Sequence, residues 1–482
     1  MHFDHTNGTL IRRNIDMALP LIAAAYLVAA LIGLPLFGDG GYYFFKLATD
    51  GTVLLPNLRY TAVLPQLPGL VATHITTDPL ALRQIFSISY QFLPWLSLAA
   101  CWLVVRWRLP WLILLPLLSL SGMLLNFSAV SELLSGVYLV WPLVLAMALT
   151  PDRSWVRIYA FVSAPLLLAL HPIAFVLAFM LAVGAGLIAW RRPRSEPAWW
   201  TPWDWLAIWI AINGAARLVW TIFGVNAYER GVLMDTGMIH YLFPDSLAQH
   251  VFLILVLLCA SSLMLSGLSR HFLARNLWVQ SGSVLAFALL TLLAIAVAAE
   301  FVLGYGIKLK AAATFVLAMV LMSIAFLLGL AHTHSSAGTD RHRPVAWQSR
   351  LFIWPYRLVL TSILILILAK SVAWWTATRG LQQVIADSSG PCIHFTVQQP
   401  YGLQWPWMNI VDDWVAPMHA LAFRPRVARV DAPGLAPIPL LLPGDGCRVL
   451  EQTGEAYLTD WTSRPWSLLD QRFGPLRQPT AN

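Results

Sequence analysis

Asp39 stands in Gly38-Asp39-Gly40-Gly41-Tyr42-Tyr43, directly after an apolar run. A carboxylate at the rim of a membrane helix can stay ionised while lying close to the bilayer plane, which suits a general base acting on a substrate held at the bilayer edge. A turn residue that ends the helix is the plainer reading. A second carboxylate, Glu132 in Asn126-Phe127-Ser128-Ala129-Val130-Ser131-Glu132, could face Asp39, or could simply supply favourable charge at a helix N-terminus. His171, just before Pro172, falls at a turn of similar depth, although the proline alone explains the turn. Arg217 interrupts an apolar run, with Asn213 one turn earlier. An ionised side chain inside a span costs about 2.5 to 3.5 kcal/mol, so it must face a cavity or a partner, for instance Asp204 or backbone carbonyls. Lys308 and Lys310 could grip a lipid phosphate or anchor to headgroups, and Arg59 could contact a phosphate or an acceptor or be an ordinary surface arginine. Asp50 is a looser candidate. Together these residues suit base and phosphate-binding chemistry at a membrane surface.

The elements that must position them are membrane helices. Of 482 residues, 58% are hydrophobic and 11% charged, against about 25% charged in a globular domain. Apolar runs such as Ala18 to Phe37 and Val251 to Leu268 reach the roughly 20 residues that cross ~30 Å of hydrocarbon. Apolar windows predict spans at 17–37, 86–105, 109–125, 133–149, 156–170, 172–190, 204–224, 250–268, 277–303, 311–331 and 357–375. The first run follows Arg12 and Arg13, is longer than a leader's apolar region and lacks a small-residue cleavage pattern, so it reads as a retained helix. The stretch 156–190 divides into two short helices turning at His171-Pro172, because basic segments at both of its ends require an even number of crossings.

The net charge of +8 is a topology signal first, which argues against a nucleic-acid partner. With the N-terminus cytoplasmic, fifteen Arg side chains fall on the inside, against Lys46, Arg59, Arg83, Arg230, Lys308 and Lys310 outside. Two outside segments are long, 38–85 and 225–249, and function collects in such loops. The stretches Gly40 to Leu47 and Leu64 to Val71 fit helices lying in the interfacial plane. Tyr228, Glu229, Arg230, Asp235, His240, Tyr241 and Asp245 fit either a lid over a site or a solvated loop. The fold expected is therefore an all-α polytopic membrane protein of about eleven transmembrane helices over 1–375. A soluble, β-containing extracytoplasmic domain over 376–482 follows, marked by turn signals such as Pro443-Gly444-Asp445-Gly446. Cys392 and Cys447 fall in that domain and are expected to form a disulfide, whereas Cys101 and Cys259 lie within spans as packing residues. The pattern marks no certain cofactor and leaves a divalent metal open, with no Cys/His spacing to support one.

Asp39-Gly40-Gly41-Tyr42-Tyr43, then Gly51, Arg59 and Pro65-Gln66-Leu67-Pro68 before a long apolar span, resembles the first outer loop of the GT-C superfamily of membrane glycosyltransferases. The resemblance covers residues 10–200 by motif and hydropathy, and the many-span layout agrees over the rest. It implies a polyprenyl-phosphate sugar as donor, a lipid, glycan or protein as acceptor, and Asp39 as the acidic residue that serves as base or organises the site. Many members carry a second acidic residue beside the first, where this chain has Gly40, so a metal-binding pair is not expected there. The chemistry agrees: a sugar leaving phosphate for a hydroxyl needs a base, whereas the phosphate departs as an anion without a general acid. One carboxylate and one cationic site suffice. The leading expectation is such a transferase in a bacterial cytoplasmic (inner) membrane, among membrane lipids. Asp39 is its base, Glu132 its second carboxylate, and Tyr42, Arg59, His171, Arg217, Lys308 and Lys310 bind substrate. The rivals are a transporter or flippase, and a non-catalytic assembly subunit.

Overall fold

The computed structural model describes residues 5–55, 59–127, 130–191, 200–224, 247–268, 277–303, 311–335, 353–395, 413–424, 428–429, 432–435 and 437–479. Lys308, Lys310 and the loop residues 225–246 lie outside the described residues.

The chain is a polytopic bundle of helices, and among the described residues nine are long and apolar enough to cross a membrane. The first, α1 (His5–Leu31), begins earlier than the apolar run suggests and stops before Gly33, whose φ of 77° lies in the left-handed region and turns the chain into a short 3-10 segment, Leu34–Leu36. Next come α2 (Asp39–Asp50) and α3 (Leu67–Thr73), neither long enough to span. The second long helix runs from Pro79 to Val105 and is broken at Phe92 into α4 (Pro79–Gln91) and α5 (Leu93–Val105). The break follows from Pro94, which has no N–H to return to the carbonyl of Tyr90.

After α6 (Leu114–Met123) come α7 (Glu132–Leu149), α8 (Ser154–Leu168), α9 (Phe175–Arg191) and α10 (Pro202–Phe223). The expected turn at His171-Pro172 is present, as a 3-10 segment Pro172–Ala174 between α8 and α9. Every residue of α6 is buried, so this short apolar helix sits inside the bundle. The remaining helices are α11 (Leu247–Leu268), α12 (Leu277–Leu303), α13 (Ala311–Ser335) and α14 (Trp354–Asp387). Packing pairs α12 with α14, α9 with α10, and α13 with both α6 and α7. Large apolar side chains point outward all around, among them Leu103, Phe161, Ile212, Leu292 and Val372. A water-soluble protein would not tolerate such a surface over so many helices, whereas lipid favours it.

Helix α14 passes its expected end at Trp375 and runs on to Asp387. Its 34 residues rise ~51 Å, more than the ~30 Å hydrocarbon core, so at least one end leaves the apolar layer. The residues that follow mix short strands and helices. Strand β1 (Cys392–Phe395) pairs in parallel with β4 (Leu440–Pro443), with Cys392 opposite Leu440. Strands β2 (Ala428–Arg429) and β3 (Ala432–Leu435) form one antiparallel pair, and β5 (Glu455–Thr459) and β6 (Thr462–Pro465) another. Three helices, α15 (Ala416–Ala422), α16 (Gly446–Thr453) and α17 (Trp466–Phe473), fill the gaps. The expected disulfide joins Cys392 to Cys447 and ties β1 to α16.

This C-terminal segment is docked on the bundle. Phe473 stacks on Phe45 at 6.1 Å, Arg83 donates to the Ala422 carbonyl at 3.0 Å, and Gln382 donates to the Phe423 carbonyl at 3.0 Å. Trp374 of α14 meets the rings of His419 and Phe423 edge-on.

Candidate functional site

Helix α2 owes its position to its glycines. A methyl group on Gly40 would fall 1.7 Å from the Pro35 carbonyl oxygen, and one on Gly41 would fall 2.6 Å from Nε2 of His419. No side chain fits at either place, so the helix start is wedged between the 3-10 segment and α15. His419 closes the contact through a 2.7 Å hydrogen bond to the Leu36 carbonyl. Asp39 occupies the first turn of α2, where the helix dipole favours a negative charge, and its side chain is exposed. The residues of α2 that are not buried are Asp39, Tyr42, Lys46 and Asp50, at i, i+3, i+7 and i+11. These positions form a single stripe.

The opposite side of α2 feeds a buried network. The Tyr43 hydroxyl donates to Oε1 of Glu132, and Arg59 pairs with Oε2 at 3.2 Å. Burial, then the charge of and hydrogen bond to Glu132, then the charge of Asp39 hold the Tyr43 phenol far above its usual range, so it remains the donor. Glu132 itself begins α7 behind the N-cap Ser131, as a helix-terminal acid should. The two carboxylates thus flank one tyrosine in different settings, Asp39 exposed to solvent and Glu132 buried beside Tyr43 and Arg59.

Arg59 is brought there by its own loop, which is tied to the α8–α9 turn. Thr61 donates its N–H to the Ala169 carbonyl at 3.0 Å and its hydroxyl to the Leu166 carbonyl at 2.7 Å. Gln66, fully buried, donates to the Leu54 and Ala62 carbonyls and accepts from the Leu54 N–H, each at 2.9 Å. On the far side of the same turn, Arg217 donates to the carbonyls of His171 at 3.1 Å and Leu168 at 3.3 Å. Backbone carbonyls thus hold Arg217, whereas Asp204 accepts from Thr201 in a capping box at the other end of α10. Enclosure, then the charges of Arg59 and Arg217, push the His171 imidazole well below its usual value, and the ring is neutral. Asp39, Tyr43, Glu132, Arg59, His171 and Arg217 therefore form one continuous neighbourhood, at the end of the bundle on which the C-terminal segment sits.

Asp50 is committed elsewhere. Arg464 donates to both its oxygens at 2.7 to 3.1 Å, and Lys46 pairs with it at 2.7 Å. Burial would raise this carboxyl, but the hydrogen bonds from Lys46, Arg464 and Thr49 and the charge of Arg464 outweigh it and leave Asp50 below the usual carboxylate range. Two buried polar residues escaped the sequence reading. Tyr43 belongs to the quoted motif yet carried no assigned role. Lys370, in the middle of α14, donates to the Asn126 carbonyl at 2.7 Å and lies over the Phe127 ring. A lone lysine inside the apolar window 357–375 was the signal for it. Among the described residues no three His, Cys, Asp or Glu side chains stand close enough to hold a metal ion.

Comparison of the chain with protein-family models, with curated proteins and with solved structures gave no match in any of the three.

Proposed function

We propose that the protein is a membrane glycosyltransferase of the GT-C kind, taking a sugar from a polyprenyl phosphate and placing it on an acceptor hydroxyl at the outer face of a bacterial cytoplasmic membrane. The observation that carries this reading is the division of labour between two carboxylates around Tyr43. Asp39 is exposed in the first turn of α2, while Glu132 is engaged by Tyr43 and Arg59. In the reaction the acceptor hydroxyl gives its proton to Asp39 and its oxygen bonds the anomeric carbon. The bond from that carbon to the phosphate oxygen breaks, and the phosphate departs with the electron pair as an anion. Arg59, Arg217, Lys308 and Lys310 supply positive charge for that phosphate, His171 and Tyr42 shape the pocket, and Glu132 holds Arg59 in place. Asp39 and Glu132 open their helices and Arg59 and His171 cap 3-10 turns, so the groups of this site gather at helix ends, with Lys370 buried half-way along α14 outside the site. That supports chemistry at an interface over passage through the membrane, the rival reading.

The topology follows the same reading. Eleven crossings require that the shorter apolar α6 and α8 cross as well as the nine long helices among the described residues. With arginines on the inner side, the N-terminus is cytoplasmic and the C-terminal domain periplasmic, where the Cys392–Cys447 disulfide is at home.

The test is transfer of radiolabelled sugar from a set of polyprenyl-phosphate donors by the protein in proteoliposomes. Asp39→Asn, checked for folding by its thermal melt, is expected to lose about 100-fold or more of the rate. Undiminished transfer by that variant removes Asp39 as the base. Movement of lipid across the bilayer without any sugar transfer by the unaltered protein would favour the transporter.

A further inference from the structure

The stripe of α2 that stays open does not end at Asp39. One turn on, Tyr42 meets the Trp414 ring at 5.8 Å, and Trp414 in turn meets Trp461 at 6.0 Å. Trp461 lies at the tip of the β5–β6 hairpin, where its backbone N–H donates to the Thr459 hydroxyl at 3.3 Å, and 65% of its surface is exposed. Trp461 thus presents its ring to solvent at the outer end of a row of three rings. Charged groups flank the row: Lys46 and Asp50 further along the stripe, Arg464 reaching across from β6 to Asp50, and exposed Asp460 beside Trp461.

A sugar ring is amphipathic, with a C–H face that stacks on an aromatic ring and a rim of hydroxyls that bonds to charged side chains. The row offers rings, and beside them lie Asp460 and the Lys46–Asp50–Arg464 cluster, whose members are paired with one another. The helical part of the row, from Asp39 to Asp50, is ~16 Å long by the rise of an α-helix, enough for more than one sugar ring. A tryptophan that only anchors the molecule in lipid headgroups needs neither a second and third ring leading inward nor a charged rim. We propose that Tyr42, Trp414 and Trp461 form a saccharide subsite that leads to Asp39, and that the acceptor is a glycan-bearing molecule rather than a protein. Naming the bound saccharide as acceptor rests on the transferase reading above; the binding itself does not.

The experiment uses the whole protein in lipid nanodiscs and saturation-transfer NMR with three soluble probes, oligosaccharides of glucose, mannose and N-acetylglucosamine. At least one should receive saturation at its ring C–H protons from the unaltered protein. The signal should fall at least fivefold in Trp461→Ala and in Tyr42→Leu and persist in Trp461→Phe. Trp461 is too exposed for its truncation to unfold the hairpin, and a thermal melt checks this. Absence of saturation for all three probes, an undiminished signal in Trp461→Ala, or a component of brominated-lipid quenching that is present in the unaltered protein and lost in Trp461→Phe, which would mean membrane insertion of that ring, each overturns the subsite. Sugar transfer without probe binding overturns this proposal alone. Probe binding without transfer from any donor leaves the subsite standing and overturns the transferase.

Discussion

Asp39 and Glu132 are both acids at the first position of a helix, and their neighbours alone separate them. Glu132 accepts from Tyr43 and pairs with Arg59, whose side chain is 14% exposed against 10% for Glu132. Removing one partner of a mostly buried pair leaves a charge uncompensated and costs about 3 kcal/mol. Arg59→Ala should therefore lower the melting temperature in detergent by several degrees. Adding Glu132→Gln should restore part of the loss, and strictly additive effects in that cycle would show that the pair does not hold. Asp50 makes a pH prediction. Because its folded pKa lies below the unfolded value, the stability it contributes is complete above the ordinary carboxylate range and fades as pH falls through the lowered value. The difference in stability between the unaltered protein and Asp50→Asn should thus be constant from about pH 5 to 8 and shrink only in stronger acid. A difference that changes near neutrality would contradict this assignment. The sequence marks Asp39, Glu132 and Arg59 as residues of interest, but Glu132 lies 73 positions from Arg59 and 89 from Tyr43. Which oxygen meets which donor follows from packing between segments that have no local relation.

At the scale of the element, α2 shows both what a motif conveys and what it hides. Asp39-Gly40-Gly41-Tyr42-Tyr43 reads as a base beside aromatic rings, and a helix over Gly40 to Leu47 was legible from its apolar spacing. The reason for the glycines was not, because their neighbours are the Pro35 carbonyl and the His419 ring, the latter from the far end of the chain. Gly41→Ala should push α2 away from α15 and destabilise the protein by about 1 to 3 kcal/mol. On the transferase proposal it should also lower sugar transfer, since Asp39 rides on the displaced turn. A variant with an unchanged melt and unchanged rate would show that the contact yields at no cost. The turn at His171-Pro172 was legible because proline punctuates any apolar stretch. The extension of α14 beyond Trp375 was not. Hydropathy falls there, and the polar turns are held by tertiary contacts such as Gln382 with the Phe423 carbonyl.

For the whole molecule, the docked C-terminal segment matters most. Its disulfide closes 55 residues of chain, and loop-closure entropy puts its contribution at about 4 kcal/mol. Cys447→Ser should leave the helix content of the bundle intact while exposing residues after Asp387 to protease. Equal cleavage rates in variant and unaltered protein would show that packing alone holds the segment. By itself the sequence determined that the chain is a multi-pass membrane protein and where its long apolar helices run, though not where α1 begins or α14 ends. A backbone in hydrocarbon must satisfy its own hydrogen bonds, so hydropathy and helix are one signal there. It also singled out the acids, the arginines and the cysteine pair. Only the tertiary structure decided that Asp39 stays open while Glu132 is enclosed, that Arg217 rests on carbonyls rather than on Asp204, and that Tyr42 joins a row of rings running out to Trp461. Each of those outcomes depends on contacts between segments tens to hundreds of positions apart, and such contacts are set by how the helices pack, not by any spacing along the chain.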